Sequence, residues 1–85
     1  MKLYFYTKKQ CPLCEKGLSF LKLLKDNFDF IIEEVDIYDD DRLLELYQIR
    51  IPVVTDDKGI VLDEGILSSF TLKQKIEDIQ KMREK

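Results

Sequence analysis

The chain has 85 residues, no histidine, two cysteines and a formal net charge of −3, from 14 Lys and Arg against 17 Asp and Glu. That length leaves room for one core and one small site, read as a single domain over residues 1–85, and the acidic balance gives a nucleic-acid partner no electrostatic support. The lack of histidine excludes Cys–His proteases and His-based zinc hydrolases. No apolar run nears the ~20 residues that cross a bilayer, so a cytoplasmic protein with no membrane partner is expected.

In chain order, Lys2–Tyr6 reads as a buried strand, apolar on both faces. Pro12 suits the first position of a helix, where its missing N–H costs nothing, and the helix runs to about Lys25. Leu13, Phe20, Leu21 and Leu24 recur along it at helical spacing. Gly17, inside it, is explained by close helix–sheet packing. Phe28–Val35 is a second strand, and Asp39-Asp40-Asp41 opens a short helix through Leu43, Leu44 and Tyr47.

Ile51–Thr55 resumes extended structure, because a residue before proline avoids the helical region. Asp56-Asp57-Lys58-Gly59 is a turn, and Ile60-Val61-Leu62 returns as the second strand of a hairpin. The last helix is expected to start at Thr71 as N-cap, with Gln74 completing a capping box, and to carry the stripe Leu72, Ile76, Ile79, Met82. Its Lys/Glu-rich end, from Lys81, is read as frayed. Tyr4, Tyr6, Phe20 and Phe70 are assigned to the core or its edge. The order β-α-β-α-β-β-α implies an α/β fold: a right-handed first crossover, a parallel strand pair, an antiparallel hairpin and helices on both faces.

The two cysteines carry the chemistry. Cys11 and Cys14 stand three residues apart at the opening of the first helix. A disulfide between them closes too small a loop to add much as a staple. A structural zinc site wants four ligands, and one chain offers two thiols. A thiolate at the N-cap meets unpaired amides and the positive end of the helix dipole, with the Cys14 amide as the natural donor. Lys8 and Lys9, just upstream, add positive potential, although solvated loop charge is their plainer role. These effects together place the Cys11 pKa below its ordinary ~8.5. Cys14, one turn inside, is less exposed, so Cys11 attacks and Cys14 resolves. On the residues alone two blander readings stay open: a pair of small buried hydrophobes, or thiols shared with a metal between two chains. The Ile51–Pro52 bond is also open, since only ~5–6% of such bonds in folded proteins are cis.

The strand, Thr7-Lys8-x-x-Cys11-Pro12-x-Cys14, the second strand, the short helix, Ile51-Pro52-Val53 and the hairpin together resemble the glutaredoxin family of the thioredoxin fold. The resemblance implies a four-stranded mixed sheet flanked by three helices, and a cis Pro52 facing the cysteine pair. It carries substrate contacts onto Lys8, Pro12, Leu13, Ile51 and Pro52: Lys8 stands where a relative's lysine meets the glutathione carboxylate, and the Ile51 backbone where substrate pairs as an added strand. Two positions depart from the family. Leu13 replaces a usual Tyr or Phe, and Asp63–Phe70 lacks the Gly-Gly-acid run that helps to hold glutathione. Ser69-Phe70 is closer to the Ser-Gly-Phe of small redoxins that reduce ribonucleotide reductase.

The function implied is a monomeric dithiol oxidoreductase that reduces protein or glutathione mixed disulfides. Glutathione or a thioredoxin reductase would supply the electrons, with no tightly bound cofactor and no metal. The alternatives are a dimeric module holding an iron–sulfur cluster or zinc, and a non-catalytic thioredoxin-fold adaptor.

Overall fold

The computed structural model describes residues 1–83. Along the chain lie β1 (Lys2–Thr7), α1 (Pro12–Leu24), β2 (Ile31–Asp36), a 3-10 turn (Ile37–Asp39), α2 (Asp41–Tyr47), β3 (Val53–Thr55), β4 (Val61–Glu64) and α3 (Ser69–Arg83). The strands form one mixed sheet in the order β2-β1-β3-β4, with β1 parallel to β2 and antiparallel to β3. This is the architecture read from the sequence, with the hairpin pairing β3 and β4.

Side chains alternate across a strand, so β1 serves two cores at once. Leu3 and Phe5 pack with Leu21 and Leu24 of α1 and with Leu72 and Ile76 of α3. Tyr6 joins the other cluster, around Ile37, Tyr47 and Val53, together with Leu43 and Leu44 of α2. β2 lies at the sheet edge and shows Glu33 and Glu34 to solvent, charge that discourages pairing with another chain.

Several boundaries differ from expectation. β2 begins at Ile31, not Phe28, because the amides of residues 25–28 bond back to the carbonyls of Lys22, Leu23 and Leu24 and finish α1. Phe30 is still buried, but outside the ladder. β4 starts one residue later than expected, at Val61. The buried stripe of α1 is Cys14, Gly17, Leu21 and Leu24, offset from the expected one: Leu13 is 49% exposed.

α3 begins earlier than expected. Ser68, not Thr71, caps it: its hydroxyl accepts from the Thr71 amide (3.3 Å) and its carbonyl from the Leu72 amide (2.9 Å). The cap is held from outside the helix, since Asp63 accepts from the Ser68 N–H at 2.8 Å. Leu72 and Ile76 are buried as expected, whereas Met82 is 76% exposed and does not extend the stripe. Phe70, also 76% exposed, is not a core aromatic, because it precedes Leu72 by two residues and so lies on the opposite side of the helix. The helix runs past Lys81 to Arg83. The rest of the end read as frayed, residues 84 and 85, lies outside the described residues.

Candidate functional site

Cys11 and Cys14 are joined as a disulfide with their Cα atoms 5.1 Å apart. Cys11 has extended backbone (φ −121°, ψ 99°) and caps α1, with Pro12 next in the first turn. The Cys14 amide donates to the Cys11 sulfur at 3.2 Å, the donor that the spacing predicts. Before it, Gln10 takes a left-handed conformation (φ 55°), unusual for a residue with a side chain. That turn swings the chain from β1 into α1. Relative exposure is 9% for Cys11 and 3% for Cys14.

Both sulfur residues line a groove of about 280 Å³. Its walls come from the β1–α1 loop, α1 and the end of β2, and they carry Lys8 and Lys9 against Glu15, Glu34 and Asp36. The lysines are therefore outnumbered, and the positive potential expected from them is offset. Nothing in the local sequence pattern marks Glu15, Glu34 or Asp36 as groove residues. The signal was available in topology: parallel pairing sets Glu34 beside Phe5 and Asp36 beside Thr7, at the carboxyl end of the strands where α/β folds place their sites.

Of the residues singled out in the sequence, the groove gathers Lys8, Cys11 and Cys14 but not Pro12, Leu13, Ile51 or Pro52. Pro12 and Leu13 are exposed in the first turn of α1. Ile51–Pro52 is a cis peptide. Tyr6 pairs with Val53, so this peptide lies alongside the end of β1 from which the Cys11 loop departs. Pro52 is buried, and half-buried Ile51 packs against the cluster that contains both cysteines.

On this second flank the packing is close. The Gly65 amide donates to the carbonyls of both Arg50 (3.0 Å) and Pro52 (2.8 Å), from a left-handed turn (φ 73°) that glycine adopts freely. The Arg50 guanidinium grips the Glu64 carboxylate through two bonds, Nε to Oε2 at 2.7 Å and Nη2 to Oε1 at 2.9 Å. The same guanidinium lies over the Tyr47 ring, 5.2 Å from its centroid, and Tyr47 packs on Tyr6 at 4.8 Å. The hydrogen bond to Arg50 holds the Glu64 carboxyl below its ordinary pKa and raises that of Arg50. Burial, then the neighbouring Tyr6, raises that of Tyr47. Tyr6 thus belongs to the α2 side. Gly17 answers to a loop, not to the sheet: a Cβ there would stand 2.6 Å from Leu67 Cδ1 and 3.1 Å from its Cγ.

A Cys-x-x-Cys disulfide at the start of the first helix and a cis-proline just before β3, on a four-stranded mixed sheet with three helices, define a protein of the thioredoxin fold. Residues 2–80 match the family model described as a glutaredoxin-like domain (DUF836), and the chain belongs to that family. Among solved structures it is similar to protein Ne2328 from Nitrosomonas europaea, with 28% identity over 88% of this chain and 89% of that one and a TM-score of 0.78. Target protein XcR50 from X. campestris gives 26% identity over 89% and 96%, with a TM-score of 0.73. Thioredoxin 1 from Thermosipho africanus, at 21% identity, covers 100% of both chains at a TM-score of 0.71 and supports the fold alone. A search of curated proteins found no match.

Proposed function

We propose that the protein is a thiol-disulfide oxidoreductase that reduces mixed disulfides of proteins or of glutathione through Cys11 and Cys14. The observation that carries this reading is the Cys14 amide aimed at the Cys11 sulfur at the N-cap of α1. In the reduced protein the same donor and the helix dipole stabilise a thiolate there, and lower its pKa. Three nearby carboxylates oppose that effect, which leaves the cap as its main source.

The Cys11 thiolate attacks a substrate disulfide and expels one sulfur as a thiolate, leaving a mixed disulfide on the protein. The Cys14 thiol loses its proton and attacks Cys11. The second substrate sulfur leaves as a thiolate, and the Cys11–Cys14 disulfide forms. The substrate has gained two electrons from the protein, and glutathione or a flavin-dependent thioredoxin reductase supplies two more that reduce the Cys11–Cys14 disulfide again. Lys8 would meet a carboxylate of the incoming chain, the Ile51 backbone would pair with it, and Pro12, Leu13 and Pro52 would border it. A monomer in the reducing cytoplasm suits this cycle.

The test is turnover coupled to NADPH, with glutathione and glutathione reductase in one arm and thioredoxin reductase in the other. Turnover in either arm that is lost in Cys11→Ser, with mixed disulfide trapped in Cys14→Ser, is the expected result. Wild-type turnover by Cys11→Ser would sink the reading.

A further inference from the structure

The segment before β3 is tied to β4 twice. The Gly65 amide bridges the carbonyls of Arg50 and Pro52, and the Arg50 side chain reaches over to Glu64 with both arms of its fork. On its other side the segment hangs from α2, where the Arg50 and Ile51 amides both donate to the Tyr47 carbonyl (2.9 and 3.1 Å). The guanidinium on the Tyr47 ring joins the two anchors. Ile51 sits between them.

A pair with side chains 34% and 40% exposed is a weak source of global stability, because water and salt screen it. A planar bidentate grip fixes direction better than it adds energy. What it directs here is the backbone proposed above to meet substrate. We infer that Arg50, gripped by Glu64 and seated on Tyr47, is a positioning residue that holds the Ile51 carbonyl in the orientation needed to accept from the backbone of an extended peptide disulfide. The inference rests on the oxidoreductase reading above.

Hydroxyethyl disulfide, which has no peptide backbone, separates positioning from chemistry. For Arg50→Met, KM for an extended peptide disulfide rises about tenfold with kcat within about twofold, since a small misplacement of a pairing backbone costs binding before it costs chemistry. Turnover of hydroxyethyl disulfide stays at the wild-type level. Arg50→Lys keeps the charge but loses the fork, and rescues only part of the peptide KM. Glu64→Gln, which leaves the arginine and its ring contact in place, shows the same selective rise to a smaller degree.

An unchanged peptide KM in both Arg50→Met and Glu64→Gln would overturn the inference while the oxidoreductase reading stood. Equal losses on the two substrates, tracking a fall in Tm, would do the same by assigning the pair a purely structural role. If the wild-type protein turned over neither substrate, the dithiol reading itself would fail and the inference with it.

Discussion

On the β2 side of the cysteine pair lie Lys8, Lys9, Glu34 and Asp36, charged groups around an open groove reached through the left-handed Gln10 turn. On the β3–β4 side lie a cis-proline, a bridging glycine amide, an arginine–carboxylate grip and a leucine pressed against a glycine. The first flank is screened by water, so its residues act on the sulfur through charge, over short range and modestly. The second is held by backbone hydrogen bonds and close side-chain packing and offers few alternative arrangements, so its residues act through shape. Rate and thiol pKa should respond to changes on the first flank, stability and substrate alignment to changes on the second.

The most direct way to break this contrast is Leu67→Ala. Leu67 is 5% exposed and fills the space over Gly17, so its removal should cost about 2–5 kcal/mol, read as a lower Tm or denaturant midpoint. A loss within the range of a surface substitution would show the second flank to be as loose as the first. Gly17→Ala tests the same contact from the other side. The alanine favours helix by about 1 kcal/mol but forces Leu67 aside at a cost of about 1–3 kcal/mol, for an expected net loss near 1 kcal/mol. A stabilised variant would show that Leu67 moves freely.

On the groove side, Gln10→Gly should stabilise the fold by up to about 1 kcal/mol, because glycine adopts the left-handed turn without steric cost. Destabilisation would mean that the Gln10 side chain contributes more than its backbone costs. The smallest effect expected is that of acid on the Arg50–Glu64 pair. Glu64 has a depressed pKa in the folded protein, so its contribution is present above the ordinary glutamate pKa. It is lost as pH falls through the lower folded value. Glu64→Gln, which keeps the Arg50 ring contact, should therefore differ from wild type in stability at neutral pH and converge with it in acid. A difference that persisted in acid would show that the carboxylate is not the partner that matters.

Much of the local structure was legible. Pro12 in the first turn of α1, Asp40 accepting from the Arg42 amide at 2.8 Å to cap α2, and the Asp56–Gly59 turn all follow from residues acting on their nearest neighbours. The cap on α3 was misread for an instructive reason. Thr71 and Gln74 satisfy the capping-box pattern, but Ser68 has a partner from outside the helix, in Asp63. A local pattern lost to a contact five residues away. The Arg50–Glu64 grip spans fourteen residues and left no trace in the pattern, because either side chain alone reads as ordinary surface charge.

By itself the sequence determined the element order, the placement of two thiols at a helix start and the donor that meets the first of them. These depend on backbone sterics, capping and periodicity, which act over three or four residues. Tertiary structure decided which carboxylates share the groove with the sulfurs, where α3 begins, which way Phe70 points and how the chain before Pro52 is held. Each of these depends on groups far apart along the chain, and only the assembled sheet and its helices bring them together.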